Sequence, residues 1–284
     1  MTTQSKCLQP EGGEGDYVYV QQGVMFVNCN GRRLRQEVIS RALRLAPRPP
    51  DFICLIETNT CRWERPAKWL NYTRVAHNWQ NLHTNRGVEI YKHDQCPYKT
   101  VTVAASAEGD ALLVQVYTQD TNFGILVVHA PHARKIGWKG YAMYWLALWA
   151  NVRRQIDPRR VLMVGDVNSA FRLEDRKAQR PTDTVYQRAC ATLGLKDLCQ
   201  LVDVPTGTWS CVAGQGTRID TAALTEWSSL KIMRASYWPS TLLSDHHYPL
   251  LLMVHVPAVR VGKPGTECYP RLPEAHMLPI HLTA

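Results

Sequence analysis

The chain has 284 residues, which is enough for one large or two small domains with a sizeable buried core. Hydrophobic residues make up 45% of the chain and charged residues 20%, a balance that excludes a disordered protein. The formal net charge of +9 favours a polyanionic partner such as nucleic acid or an anionic membrane surface.

Cysteine usage and the apolar segments indicate the compartment. The 9 cysteines are an odd number and form no CxxC pair, which favours reduced thiols and argues against a zinc site. The polar segment at residues 1–16 is not a secretory signal, and the apolar stretch at residues 141–152 is too short to span a bilayer. We therefore expect an intracellular protein, neither secreted nor embedded in a membrane.

Short apolar runs alternate with segments of helical period along the chain. Helices are predicted at residues 32–46, 141–156 and 185–195, and Trp138, Trp145 and Trp149 recur at helical spacing as core residues. Strands are predicted at residues 24–28, 51–57, 87–93, 100–106, 111–118, 122–130, 159–168, 208–211, 218–224 and 248–256. This order predicts an α/β domain over residues 16–256, after a flexible segment at 1–15 and before a Pro-rich tail or linker at 257–284.

Polar side chains stand where these apolar strands end. A strand end is where a rigid scaffold can aim a side chain into a cleft, although any single Asn or Asp there also suits a turn or a helix cap. The set comprises Asn28, Asn30, Glu57, His129, Asp166, Asn168, Asp220, Asp245 and His246.

The set contains what metal-assisted attack on a phosphodiester requires. Mg²⁺ prefers oxygen ligands, which Glu57 could supply with Asn28 or Asn30 and with Asp245. Asp166 suits the base that activates water. Asn168 and His246 could stabilise the transition-state charge, and His129 or His246 could protonate the leaving oxygen.

These segments resemble the endonuclease/exonuclease/phosphatase superfamily, and they occur in that family's order over residues 24–254. The matching stretches are NCNG at 28–31, CLIET at 54–58, RGVEIY at 86–91, VVHAPH at 127–132, GDVNSAF at 165–171, TWS at 208–210, GTRID at 216–220 and LSDHHYPL at 243–250.

The resemblance implies a four-layered α/β sandwich of two packed mixed sheets flanked by helices, as in deoxyribonuclease I. It also implies Mg²⁺, with Mn²⁺ as a substitute, at Asn28, Asn30 and Glu57, with Asp166 orienting the water and Asn168 the phosphate. Asp220 should hold His246, whose neighbour His247 faces the other way on an extended strand.

Two departures from the family pattern narrow the function. His129 stands where apurinic endonucleases and most retrotransposon endonucleases have Tyr, an arrangement closer to that of deoxyribonuclease I. Thr208 and Thr217 stand where apurinic endonucleases line an abasic-sugar pocket with aromatic rings, which argues against such a pocket here. With its TW stretch followed by RID, the tail after the last strand and the reduced cysteines, the chain looks most like the endonuclease domain of a non-LTR retrotransposon. The resemblance implies a nuclear enzyme that nicks duplex DNA and is usually joined to a reverse transcriptase.

Residues beside these motifs are candidates for DNA contact, namely Arg134, Lys135, Lys139, Thr208 and Arg218. Three alternatives to a retrotransposon endonuclease remain open. They are an apurinic repair endonuclease, a phosphoesterase of the same superfamily acting on RNA or lipid phosphates, and a binding module with a dead site.

Overall fold

Two mixed β-sheets stack face to face and carry helices on their outer faces. The computed structural model describes residues 19–29, 39–40, 43–44, 48–58, 68–79, 87–119, 121–176, 178–205, 210–211, 216–237, 247–258 and 278–280. The predicted helix at 32–46 lies largely outside these residues, but its described positions 39–40 and 43–44 are helical, with Ile39 and Leu43 buried.

The first sheet has the strand order β12-β13-β1-β2-β5-β4-β3. Its strands are β1 (Tyr19–Asn28), β2 (Phe52–Ile56), β3 (Lys68–Trp69), β4 (Tyr72–Asn78), β5 (Val88–His93), β12 (Lys231–Tyr237) and β13 (Leu250–Pro257). The second sheet has the order β10-β11-β9-β8-β7-β6-β14. Its strands are β6 (Lys99–Ser106), β7 (Ala111–Tyr117), β8 (Asn122–His129), β9 (Val161–Asp166), β10 (Leu195–Asp197), β11 (Asp220–Thr225) and β14 (Leu278–Ile280).

Among the described residues, three apolar clusters hold the layers together. Alternate residues of β1, β2, β5, β7, β8 and β9 meet between the sheets, where Phe52 packs edge-on against Phe123 with ring centroids 6.4 Å apart. Helices α1 (Ala133–Gln155) and α2 (Pro181–Leu193) cover the outer face of the second sheet, and α3 (Leu198–Leu201) follows β10. A third cluster, with Ile39 and Leu43, covers the outer face of the first sheet. The predicted four-layered sandwich is confirmed.

The interpretation of the tryptophans is correct in part. Trp145 and Trp149 are buried in the cluster under α1, but Trp138 is 57% exposed, so its assignment to the core was wrong. Residues 134–139 of α1 are all exposed and the first buried residue is Tyr141, so the beginning of the helix lies beyond the core.

The helices in the described ranges lack any segment with the length and apolarity needed to cross a bilayer. Strand β14 pairs in parallel with β6 within the stretch that was predicted to be a tail. The domain limits stay a prediction.

Candidate active site

Four predicted site residues meet where parallel strands of the two sheets end. In the first sheet, β1 and β2 pair in parallel and end at Asn28 and just before Glu57. In the second sheet, β8 and β9 pair in parallel with His129 opposite Asp166. The Asn28 amide Nδ2 donates to Glu57 Oε1 at 2.9 Å and to Asp166 Oδ2 at 3.1 Å. This buried carboxamide therefore joins the two sheets at their carboxyl ends.

Glu57 reaches this cluster because its backbone is left-handed. In β2, Ile53 packs into the outer cluster while Ile56 packs between the sheets, so strict alternation would turn residue 57 to the outer face. A φ of 49° at Glu57 breaks that alternation, and its Oε1 lies 3.2 Å from His129 Nε2. Left-handed backbone is costly for a side chain such as Glu, and strain of this kind clusters at functional sites.

Asp166 is held in place by its neighbours in sequence. Gly165 precedes it, and a Cβ at that position would lie 2.2 Å from the Val128 carbonyl oxygen, so only glycine allows this approach of β9 to β8. Asn168, with φ 53°, donates its backbone N–H to Asp166 Oδ1 at 2.8 Å and its side-chain Nδ2 to the Ala130 carbonyl at 2.6 Å. The Asp166 carboxylate is thus oriented on both oxygens.

A second carboxylate stands beside the first. Asp220 pairs with Asp166 across β11 and β9, and both side chains are almost fully buried. Burial raises the pKa of Asp166 to about 8, and the negative charges of Asp220 and Glu57 act in the same direction. An acid with a pKa near neutrality is suited to proton transfer at physiological pH.

Asp220 is paired with His247, which corrects the assignment made from the sequence. His247 Nδ1 donates to Asp220 Oδ2 at 2.7 Å. Burial of the ring opposes its charged form, but the charges of Asp220 and Asp166 outweigh that effect and raise the pKa of His247. The sequence prediction gave this role to His246 and excluded His247. The motif was placed one residue too early, and on an extended chain a shift of one residue turns each side chain to the opposite face.

The sequence prediction for Arg218 as a DNA contact is also wrong. Its guanidinium is almost completely buried and pairs with Asp175 at 2.5 Å and with Asp197 at 3.4 Å. Arg172 contacts the same Asp175 carboxylate at 3.1 Å. Because this ion-pair network is buried, it cannot contact DNA, and it holds Arg218, two residues before Asp220, in place.

Exposed basic side chains border the cluster. Arg134, Lys135 and Lys139, predicted to contact DNA, are exposed at the beginning of α1. His132 and Arg180 were missed by sequence reasoning. Partial burial lowers the pKa of His132; Glu57 acts against this, while Lys135, Arg134 and Arg180 lower it further. The predicted residues Asn30, Thr208, Asp245 and His246 lie outside the described part of the chain.

The donor set fits a hard divalent cation. Glu57, His129 and Asp166 each offer one ligand atom, and these atoms lie within 4.8 Å of one another. Carboxylate oxygens dominate the group and no thiol belongs to it, which suits Mg²⁺ or Mn²⁺ rather than a thiolate-bound metal. Glu57, with the greater exposure of the two carboxylates, is best placed to hold such an ion.

Comparison with known proteins identifies the four-layered architecture as a fold shared with solved nuclease structures. No family model and no curated protein matches the sequence. Among solved structures, the chain is similar to the endonuclease domain of TRAS1, a telomere-specific non-LTR retrotransposon, with 14% identity and a TM-score of 0.55 over 83% of this chain and 98% of that one.

Two further structures have the same fold. An AP endonuclease from Archaeoglobus fulgidus matches with 15% identity and a TM-score of 0.64, over 84% of this chain and all of that one (100%). The human Nocturnin catalytic domain with bound sulfate matches with 16% identity and a TM-score of 0.57, over 84% and 96%. At these identities the likeness establishes the fold, and the side chains must carry the argument about function.

Proposed function

We propose that the protein is a divalent-metal-dependent endonuclease that hydrolyses a phosphodiester bond of duplex DNA. The observation that carries the proposal is the convergence of Glu57, His129, Asp166 and the Asp220–His247 pair at one edge of the two sheets. So many buried ionisable groups in one place destabilise a fold, and hydrolysis at phosphorus gives each of them a task.

Asp166 is the base that takes a proton from the attacking water in this mechanism. Its carboxylate is fixed by donors from Asn28 and Asn168, so the oxygen that meets the water is set by the fold. A cation at Glu57 would supply positive charge that polarises the phosphate and lowers the pKa of nearby acids. Asp166 would then be ionised at neutral pH.

His129 lies on β8 and Asp220, the partner of His247, lies on β11, the two strands that pair with β9 on either side of Asp166. Asp220 holds the His247 ring and favours its charged form, which can stabilise negative charge on phosphate oxygens. His129 lies against Glu57 and is the candidate for protonating the leaving oxygen. Asn168 is fixed by the hydrogen bond from its Nδ2 to the Ala130 carbonyl and is the candidate for orienting the phosphate.

Duplex DNA is the substrate that the surface favours. Arg134, Lys135 and Arg180 are exposed and lie within electrostatic reach of His132, and Lys139 is exposed further along α1. A polyanion would therefore be drawn to this part of the surface. We propose undamaged DNA, nicked at easily deformed steps, because Thr217 offers little of the apolar surface that would hold an abasic sugar. A role in target-primed retrotransposition, next to a reverse transcriptase and in the nucleus, belongs to the same proposal.

The test is a plasmid-nicking assay with Mg²⁺, run in parallel with EDTA and beside RNA and phospholipid substrates. The matched variants are Asp166→Asn in the cluster and Asp157→Asn, which alters a carboxylate at the opposite end of β9. We expect nicking by the parent and by Asp157→Asn only with the metal. Faster turnover of RNA or phospholipid would favour the general phosphoesterase instead.

A second assay separates nicking of undamaged DNA from repair. One duplex is compared with and without a single abasic site, and we expect rates within about tenfold of each other, a difference below about 1.4 kcal/mol. A preference for the abasic duplex of roughly a hundredfold or more would assign the protein to apurinic repair.

A further inference from the structure

Ser210 lies where the two segments that carry Asp220 and His247 come together. Its side chain is fully buried (0% exposed), and its Oγ accepts hydrogen bonds from the backbone N–H groups of Ile219 and Asp220, both at 2.9 Å. One hydroxyl therefore serves two consecutive amides, the second of which belongs to Asp220 itself.

The backbone of Ser210 binds the other member of the pair. Its carbonyl oxygen accepts from Tyr248 N–H at 2.6 Å, and Cys211 forms an antiparallel bridge with His247. The N–H groups of Ser210 and Cys211 both donate to the Thr217 carbonyl, at 3.1 and 2.8 Å. Residues 210–211 thus form a short bridging strand between the segment before Asp220 and the segment that contains His247.

We propose that Ser210 is a positioning residue that keeps Asp220 and His247 in hydrogen-bonding register. The backbone of Ser210 ties it to the His247 segment and its hydroxyl ties it to the Asp220 backbone, so the side chain links the two halves of the pair. The 2.7 Å contact between His247 Nδ1 and Asp220 Oδ2 depends on the relative position of the two segments that carry these residues. Transition-state stabilisation falls steeply when a group moves by about 1 Å.

Asp220 is fixed on its other side independently. Tyr237 donates its hydroxyl to the Asp220 carbonyl at 2.5 Å, and β11 is hydrogen-bonded to β9. Loss of the Ser210 hydroxyl therefore leaves β11 in place but removes the tie to the bridging strand. This predicts a local change in the pair rather than loss of the fold.

The inference rests on the proposed function for its kinetic test, so two measurements are needed. The variants are Ser210→Ala, which removes the hydroxyl, Ser210→Thr, which keeps it, and Ser210→Cys, which offers a longer and weaker acceptor. The control is Thr118→Val. Thr118 Oγ1 also accepts a backbone N–H, from Thr121 at 3.0 Å, but in the hairpin at the opposite end of β8.

The first measurement is the rate of nicking of a DNA duplex in Mg²⁺. For Ser210→Ala we expect kcat to fall by about a hundredfold with KM within about threefold of the parent, because the pair acts on the transition state and not in DNA binding. Ser210→Thr should recover most of the loss, and Thr118→Val should behave as the parent. If Ser210→Ala fails to fold, Ser210→Cys replaces it, with an expected fall in kcat of at least about tenfold.

The second measurement needs no activity. Proton NMR of the protein labelled with ¹⁵N-histidine should show a low-field N–H signal for the imidazole that donates to the buried Asp220 carboxylate, identified by its loss in Asp220→Asn. The signal should persist in Ser210→Thr and Thr118→Val and disappear or shift in Ser210→Ala or Ser210→Cys. An unchanged signal together with kcat within about threefold of the parent would overturn the inference. If the parent cleaves no DNA, the proposed function fails, and the signal alone decides the role of Ser210.

Discussion

Replacing Asp166 with Asn should remove activity and change stability in a direction that reverses with pH. The carboxylate is 2% exposed and faces Asp220 across two paired strands. Burial and that neighbour raise its pKa from 3.8 to about 8 in the folded protein. The variant keeps the shape of the side chain while removing both its charge and its proton chemistry.

The magnitude follows from linkage between folding and ionisation. Below pH 3.8 the carboxyl is protonated in both states and contributes nothing. Above that value the unfolded chain loses the proton while the folded protein keeps it, so folding loses about 1.4 kcal/mol per pH unit until about pH 8. By pH 8 the accumulated loss of folding free energy is on the order of 5 kcal/mol. The Asn variant does not ionise, so this loss is absent from it.

The substitution also has a cost of its own. One carboxylate oxygen becomes an NH₂ group that faces either the Asn28 amide or the Asn168 N–H, so one acceptor is lost at roughly 1–3 kcal/mol. We therefore expect the variant to be less stable than the parent at pH 4 and more stable by about 2–4 kcal/mol at pH 8. For a domain of this size that gain corresponds to a rise of about 4–16 °C in Tm.

Thermal unfolding from pH 4 to pH 8 in EDTA measures this, beside nicking in Mg²⁺. The activity of Asp166→Asn should fall by at least about a thousandfold, the upper range for loss of a general base. Asp157→Asn is the control and should show no stabilisation at pH 8, because Asp157 is partly exposed and a hydrogen bond from Arg159 lowers its pKa. A variant that is less stable than the parent at every pH, or that nicks within about tenfold of it, would refute the reasoning.

Three further predictions concern the metal, the buried arginine and the basic border. Glu57→Ala should abolish nicking in Mg²⁺ and recover part of it in Mn²⁺, which binds mixed N/O sites more tightly; equal rates in both ions would exclude Glu57 as a ligand. Arg218→Leu leaves Asp175 and Asp197 buried without their cation, so the free energy of unfolding measured in urea should fall by about 3–5 kcal/mol. A fall of less than about 1 kcal/mol would contradict a structural role for Arg218. Arg180→Ala should weaken DNA binding and lower the slope of log affinity against log salt by about one, which titration at several salt concentrations measures; an unchanged slope would place Arg180 away from the phosphates.

Strands that are buried on both faces were plain in the sequence. β2 and β9 are continuous apolar runs, and every residue of each is buried. β4 and β12 were not predicted, because they lie towards or at the edge of the first sheet and mix exposed with buried positions in the stretches YTRVAHN and KIMRASY. Their pairing depends on neighbours far away in sequence, which local pattern does not contain.

The same contrast applies to the site. Polar residues after apolar strands predicted Asn28, Glu57, His129 and Asp166, which the structure brings together. The choice between two adjacent histidines depends on a shift of one residue that composition cannot fix. Arg218 appeared to be a surface cation because its partners lie 43 and 21 positions away along the chain. Burial of a charge is a property of the assembled fold.

The cluster is unfavourable for stability, and it persists because rigid elements of the fold hold its residues in place. Glu57 and Asn168 both have left-handed backbone, at about 1–2 kcal/mol each, and Asp166 stands beside a second buried carboxylate. None of these features is required by the sandwich, whose core lies between the sheets and under the helices. Each is instead bound to rigid elements: Asn168 by the Ala130 carbonyl, and Glu57 by Asn28 at the end of β1. Substitutions that remove a buried charge from the cluster should therefore stabilise the protein while they inactivate it. Substitutions in the rigid elements that hold the cluster should lower stability before they change the rate of the reaction.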